Sequence, residues 1–136
     1  MRTIFADTSY WIALANPRDE WHHAAKAIGP QLGPFHIFTT DEVLVEFLAF
    51  FSTKFGAELR KAAVRLVHKV MENPNVKVLP QTRDSFVRGL RLYELRPDKG
   101  YSLTDCVSME IMREHNLFDV LTHDHHFRQA GFNILL

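Results

Sequence analysis

Cysteine is almost absent from this chain: Cys106 is the single example, so no disulfide can form within it. Disulfides belong to oxidising compartments, and their absence fits a reducing one. No apolar run is long enough to span a bilayer, and the short apolar start carries Asp7, which does not suit a signal peptide. We therefore expect a cytoplasmic protein that has no membrane association.

The chain also lacks net charge, since 16 Lys and Arg balance 16 Asp and Glu. It therefore has no general electrostatic attraction to nucleic acid or to anionic lipid, and any site for a polyanion has to be a local patch. A Gly-rich phosphate loop is missing as well, which argues against a nucleotide-binding doubly wound domain.

The chain does contain a regular alternation of short apolar runs with longer helical ones. Its 136 residues, 46% of them hydrophobic, suit one domain over residues 1–136 with a single core. We predict strands at residues 3–6, 35–38, 76–79, 118–121 and 132–135, and helices at 10–15, 19–28, 39–52, 57–72, 82–95, 103–115 and 124–130. This alternation indicates an α/β fold with a mainly parallel sheet of four to five strands, covered by helices on both faces.

Two of the predicted helices begin with capping motifs. Thr39 and Glu42 have the spacing of a capping box, and Ser102 and Asp105 have it too. Asp105 also lies in the positive field of the first helical turn, where backbone N–H groups are unpaired. From this stretch alone, a capping role and a functional role for Asp105 are equally open.

Four acids occupy equivalent places relative to the predicted elements. Asp7 and Asp124 each follow a strand, Asp105 begins a helix, and Glu46 lies among apolar residues of the helix after the second strand. Each has a structural alternative: a helix cap for the aspartates and an exposed helix edge for Glu46. Ligands of parallel sheets bind beyond the carboxyl ends of the strands, so we expect the four to gather there.

Such a cluster requires a cation. Carboxylates within about 4–6 Å of each other repel, and some take up protons unless a positive charge neutralises them. Ligand sets made only of oxygen favour hard ions such as Mg²⁺ or Mn²⁺, which bind substrate phosphate as well and activate water. We therefore hypothesise that the carboxylates bind a hard metal ion and that this ion acts on a phosphodiester substrate.

Four sequence blocks occur in order along the chain: DTSYWIAL (7–14), TTDEVLVEFLAFF (39–51), DKGYSLTDCVSM (98–109) and LTHDHHFRQAGF (121–132). Together they resemble the signature blocks of the PIN-domain family, in particular its small bacterial members, the VapC-like toxins of toxin–antitoxin pairs. The resemblance implies metal-binding and catalytic roles for Asp7, Glu46, Asp105 and Asp124. It implies a second tier of residues: Asp98, an acid that precedes Ser102-Leu103-Thr104-Asp105 in the third block, and the hydroxyls of Thr8, Ser9 and Thr122, which would orient carboxylates or water.

The same resemblance implies a three-layer α/β/α sandwich and a ribonuclease that depends on Mg²⁺ or Mn²⁺. It also implies a homodimer and, for the toxins, an antitoxin protein that blocks the site. The alternative from another class of function is a non-catalytic RNA-binding or dimeric scaffold module of the same fold, in which the acids act as caps and structural metal ligands.

Other residues have competing interpretations. Histidines His123, His125 and His126 surround Asp124, but no cysteine partner or zinc-type spacing accompanies them, so we expect polar neighbours of the site rather than zinc ligands. Arg96 and Lys99 lie in the loop that leads to Asp105 and are candidates for RNA contact. A surplus of phenylalanines, Phe47, Phe50, Phe51 and Phe55, indicates a partner surface beyond what the core needs.

Overall fold

In the computed structural model, which describes residues 1–136, five strands and seven helices alternate along the chain. The strands are β1 (Arg2–Ala6), β2 (Phe35–Thr40), β3 (Val76–Leu79), β4 (Asp119–Leu121) and β5 (Asn133–Ile134). The helices are α1 (Thr8–Ala15), α2 (His22–Leu32), α3 (Asp41–Phe50), α4 (Gly56–Glu72), α5 (Arg83–Leu95), α6 (Leu103–Glu114) and α7 (His125–Gln129).

The five strands form one sheet in the order β3-β2-β1-β4-β5, and every pairing is parallel. Two neighbouring parallel strands can be joined only by a connection that crosses over one face of the sheet. Because such crossovers are right-handed, α1–α4 lie on one face of the sheet and α5–α7 on the other. Contacts agree with this division, since α1 packs on α2 and α3 while α5 packs on α6. The predicted three-layer α/β/α sandwich is confirmed.

The core forms where the central strands meet both helical layers. Ile4, Phe5 and Ala6 of β1 are fully buried, as are Val120 and Leu121 of β4. Strands enclosed on both faces have no polar side to present to water, which explains why these runs are continuously apolar. Large side chains from the helices complete the core, and burying each contributes about 2–3 kcal/mol; they include Phe47, Phe51, Met109, Met112 and Phe127.

The strand order creates a crevice between β1 and β4. From β1 the chain crosses over one face to β2, whereas from β4 it crosses over the other face to β5, so the segments that follow the two strands diverge. This is the topological switch point at which open α/β sheets bind ligands. The Asp7 backbone N–H donates to the Leu121 carbonyl at 3.1 Å, which holds the two strand ends together at this point.

Helix α2 begins and ends later than the sequence pattern predicts. Asp19 lies outside it because its carboxylate accepts a hydrogen bond from the Trp21 N–H at 2.8 Å, which forms a turn before the helix. Pro30 does not end α2 but lies within its last turn. The helix instead stops at Gly33, whose φ of 73° is left-handed and suits glycine.

The predicted Thr39–Glu42 capping box is wrong. Thr40 is the N-cap of α3, and its hydroxyl accepts from the Val43 N–H at 3.1 Å. Strand β2 runs two residues further than predicted, so Thr39 remains in the sheet, and its hydroxyl donates to the Ala6 carbonyl at 2.9 Å. The second capping box, from Ser102 to Asp105, is confirmed.

Close packing of α5 against α6 depends on one glycine. A Cβ added at Gly89 would lie 2.5 Å from Val107 Cγ2 and 3.1 Å from the Val107 backbone, closer than van der Waals contact allows. Helix α6, which carries Asp105, is thereby held against its neighbour. No helix in residues 1–136 is both long enough and apolar enough to cross a membrane.

Candidate active site

Asp7 is the most deeply buried acid at the carboxyl end of the sheet. It directly follows β1 and is 3% exposed. It occupies the N-cap position of α1, but its side chain makes no capping hydrogen bond. Its Oδ2 accepts from the Thr122 hydroxyl at 2.9 Å, while its Oδ1 is buried and has no hydrogen-bond partner. An unpartnered buried carboxylate oxygen is costly, so capping does not explain Asp7.

A chain of hydroxyl groups fixes the orientation of Asp7. The Thr122 hydroxyl has one proton and donates it to Asp7, so the Ser9 hydroxyl, 2.8 Å away, must donate to Thr122. Thr122 also accepts from the Asp124 N–H at 3.0 Å. Thr122 therefore connects the segment after β1 with the segment after β4. Thr8 contributes another hydroxyl beside Asp7, and its Oγ1 is buried without a partner.

Asp124 and Asp105 do cap helices, as the structural alternative predicted. Asp124 is the N-cap of α7, and its Oδ1 accepts from the His126 N–H at 2.9 Å. Asp105 accepts from the Ser102 N–H at 3.0 Å through Oδ2, as part of the capping box of α6. In each case one oxygen forms the cap and the other takes no part in it. Capping therefore fixes these carboxylates in place, and since each oxygen has more than one lone pair, both carboxylates can still bind a ligand.

Glu46 completes the group from helix α3. It is half-buried, next to the fully buried Phe47, and α3 contacts α6, which carries Asp105. Its negative charge acts on both Asp7 and Asp105. The structure therefore brings together all four acids that the sequence singled out.

The ionisation of the two buried aspartates reflects this crowding. Burial, and then the charges of Asp105 and Glu46, raise the pKa of Asp7 from 3.8 to about 7, although the nearby backbone N–H of Thr8 and the hydroxyl of Thr122 oppose the rise. Burial and the charges of Asp124 and Glu46 raise the pKa of Asp105 to about 6. The site is thus short of positive charge near neutral pH, and a cation would relieve the repulsion.

The residues present fit a divalent metal ion. The four acids are close enough for their charges to affect one another's pKa, and Asp7 has a buried carboxylate oxygen with no partner. One oxygen each from Asp105 and Asp124 and one nitrogen of His126 lie within 4.8 Å of one another. Such a donor set, mostly carboxylate oxygen, is typical of sites for Mg²⁺ or Mn²⁺.

His126 is the site residue that the sequence pattern did not single out. We expected the histidines around Asp124 to be polar neighbours, and only His126 has a ring nitrogen in the ligand group. Its Nδ1 lies 3.0 Å from Asp124 Oδ1 and 3.9 Å from Asp105 Oδ2. The available signal was its position two residues after Asp124, in the first turn of the short helix.

Asp98 and Arg96 bind each other and not the acid cluster. Arg96 donates two hydrogen bonds of 3.1 Å to the Asp98 carboxylate, and both side chains are exposed. This pairing holds the pKa of Asp98 below its ordinary value. Asp98 is absent both from the ligand group and from the charges that act on Asp7 and Asp105. Lys99, next in the loop, is half-buried.

An aromatic pair borders the site. The rings of Trp21 and His123 are stacked, with centroids 4.8 Å apart and an angle of 9° between their planes. His123 lies between Thr122 and Asp124, and its backbone N–H approaches the Ser9 hydroxyl at 3.4 Å. The stack therefore connects the α1–α2 loop to the segment that carries Asp124.

The chain is similar to known proteins in both sequence and structure. The sequence profile of the PIN domain matches residues 4–133. The 23S rRNA-specific endonuclease VapC20 of Mycobacterium tuberculosis is 30% identical over 132 residues, which cover 95% of each protein. The crystal structure of VapC20, a toxin that cleaves the sarcin–ricin loop, matches with a TM-score of 0.84 at 28% identity over 95% of both chains.

More distant structures share the fold. VapBC2 from Rickettsia felis, crystallised with a DNA fragment from its promoter, matches with a TM-score of 0.65 at 11% identity, covering 98% of this chain and 97% of that one. FitAcB from Neisseria gonorrhoeae matches with a TM-score of 0.63 at 16% identity, covering 98% and 96%. At such identities the likeness concerns the fold alone.

Proposed function

We propose, from the fact that this chain belongs to the PIN-domain family, that it is a metal-dependent endoribonuclease and the toxin of a toxin–antitoxin pair. The observation that carries the proposal is Asp7, a buried carboxylate with an unpartnered oxygen among three other acids. In the alternative, a non-catalytic scaffold module, the acids would act as caps or as structural metal ligands. Asp7 makes no capping hydrogen bond, so RNA cleavage is the property that separates the two functions.

In this proposal Asp7, Glu46, Asp105 and Asp124 hold Mg²⁺ or Mn²⁺ and form the catalytic group. The bound cation supplies positive charge that activates water and offsets the charge of the RNA phosphate. Thr122 and Ser9 orient Asp7 through their hydroxyl chain. Thr8 is the remaining hydroxyl beside it, suited to positioning water.

Ribosomal RNA is the substrate we propose to test first, because VapC20 is specific for 23S rRNA. We propose further that residues 1–136 act as one domain and that this activity is cytoplasmic. Lys99 is the loop residue best suited to contact the RNA backbone, because the charge of Arg96 is offset by Asp98.

The decisive experiment compares Asp7→Asn with Asp119→Asn. Asp119 begins the three-residue strand β4, at the opposite end of that strand from the acid cluster, and pairs with Arg2 at 2.7 Å. We expect the wild type and Asp119→Asn to bind Mn²⁺ by calorimetry and to cut ribosomal RNA. Asp7→Asn should lose both properties while it remains folded by circular dichroism. Cleavage at the wild-type rate by Asp7→Asn would refute the site assignment.

We also propose that the chain binds an antitoxin and forms a homodimer. An apolar face on α3 and α4, here called the α3–α4 face, exposes Val45, Phe50, Phe55 and Val64. Phe50 and Phe55 pack on each other and on the buried Phe51, so the exposed rings are held in place. Rigid exposed aromatics are typical of protein interfaces. Light scattering on the chain alone tests the dimer, and co-expression with any small open reading frame found next to its gene tests the antitoxin.

A further inference from the structure

The ring of His126 is held in a defined position beside the acids. It lies in the first turn of α7, and the Tyr101 ring packs against it at an angle of 84° with 5.7 Å between the ring centroids. The loop at Gly100 passes close to the opposite side of the ring, so that a Cβ there would lie 3.7 Å from Nε2. Packing on these sides leaves Nδ1 directed toward the carboxylates.

The Nδ1 atom of His126 has no hydrogen-bond partner, although it is buried against a carboxylate. Nδ1 lies 3.0 Å from Asp124 Oδ1, yet it is buried and has no hydrogen bond, because the approach lacks hydrogen-bond geometry. That oxygen already accepts the His126 backbone N–H. A metal ion bound to both atoms would give Nδ1 the partner that it lacks, and the same ion would be shared with Asp105.

We infer that His126 Nδ1 is a nitrogen ligand of the divalent cation held by Asp105 and Asp124. The inference rests on the metal dependence proposed above and adds a ligand to that site. Adjacent ligands of an octahedral ion at about 2.1 Å lie about 3 Å apart, which matches the contact between His126 and Asp124. The contact between His126 and Asp105, at 3.9 Å, needs only a small adjustment. Nε2 then carries the ring proton.

A nitrogen ligand changes which metal the site prefers. Carboxylate oxygens alone bind Mg²⁺ and Mn²⁺ as hard ions, whereas imidazole adds affinity for transition metals and little for Mg²⁺. The site should therefore favour Mn²⁺ over Mg²⁺. Removing His126 should weaken Mn²⁺ binding at least about tenfold. Loss of a residue that only hydrogen-bonds to a metal ligand already lowers metal affinity by about that factor, and loss of a ligand itself should lower it no less. Mg²⁺ binding should change less.

The test uses Mn²⁺ alone, with the full chain and no RNA. Pulsed electron paramagnetic resonance of bound Mn²⁺ detects a directly coordinated ¹⁴N, and labelling the histidines with ¹⁵N changes the signal in a known way. The variants are His126→Ala, His126→Asn, which keeps a polar side chain of similar reach, and the matched control His125→Ala, whose ring is 67% exposed.

We expect histidine nitrogen coupling in the wild type and in His125→Ala, and its loss in both His126 variants. Mn²⁺ bound without nitrogen coupling in the wild type would overturn the inference, as would coupling that persists in a folded His126 variant. If the same wild-type sample cleaved RNA, the proposed nuclease function would stand even though His126 was not a metal ligand. A wild type that binds no Mn²⁺ would overturn both proposals together.

Discussion

Replacing Asp7 with asparagine should stabilise the metal-free protein at alkaline pH. The wild-type carboxylate is buried among other acids, so ionising it in the folded chain is unfavourable. Asparagine has the same shape and can still accept the Thr122 hydrogen bond through its amide oxygen, but it carries no charge. The substitution that should abolish metal binding and cleavage should therefore raise the stability of the protein without metal.

The magnitude follows from the ionisation of Asp7. Its pKa is 3.8 when unperturbed and about 7 in the folded chain. At about 1.4 kcal/mol for each pKa unit, that difference corresponds to about 4 kcal/mol. Water entry and small side-chain movements would reduce the penalty. We therefore expect Asp7→Asn to be about 2–4 kcal/mol more stable than the wild type at pH 8.

The dependence on pH has a definite sign. Asp7 binds its proton more tightly in the folded chain than in the unfolded one, so the folded state holds more protons between about pH 4 and pH 7. The wild type should lose stability as the pH rises through that range. At pH 4 the carboxyl is protonated in the folded chain, and the advantage of Asp7→Asn should nearly vanish.

Urea denaturation in the presence of a chelator measures the effect at pH 4, 6 and 8. Asp119→Asn is the matched control because it should behave in the opposite way. Burial alone would raise the pKa of Asp119, but hydrogen bonds from Asn133 and Arg2 outweigh burial and lower it. Asp119→Asn should therefore destabilise the protein at pH 8. Saturating Mn²⁺ should reverse the order of wild type and Asp7→Asn, because only the wild type gains binding free energy.

Equal stability of the wild type and Asp7→Asn at pH 8 would refute this reasoning. It would mean that Asp7 is solvated, or that a protein cation neutralises it, and the need for a metal would lose its main support. Higher stability of the variant at every pH by the same amount would also count against it, since the effect would then come from packing and not from charge.

Three further predictions test other parts of the structure. Gly89→Ala should destabilise the fold by about 1–2 kcal/mol in urea, because the steric clash with Val107 exceeds the gain in helix propensity; an unchanged unfolding midpoint would contradict the packing of α5 on α6. Lys99→Ala should weaken RNA binding and reduce the slope of log affinity against log salt concentration by about one. Arg96→Ala should change that slope less, because Asp98 already pairs with Arg96, and a larger effect at Arg96 would show that its ion pair opens to bind RNA. Phe50→Glu should disrupt partner binding by size-exclusion chromatography and leave the fold intact, because the ring is 38% exposed; a dimer or antitoxin complex that persists would remove Phe50 from the interface.

Local patterns in the sequence determined the elements and the candidate acids. Short apolar runs predict buried parallel strands wherever they occur, and Asp7, Asp105 and Asp124 are recognisable because each stands at the end of a strand or the start of a helix. The four-block resemblance predicted the family and the three-layer fold, and both are confirmed. The functional roles of the four acids remain predictions.

Tertiary structure decided how those elements meet. The local pattern placed residues 7 and 124 at the same end of the sheet, but it did not make β1 and β4 neighbours, because strand order depends on which faces pack best and not on periodicity. The sequence also did not predict the direction of these side chains. His126, two residues after Asp124, points toward the carboxylates, whereas Asp98, seven residues before Asp105, pairs with Arg96. Such choices depend on rotamers and partners that only the packed chain provides. The sequence thus identified the candidate carboxylates, and the tertiary structure determined which side chains lie next to them.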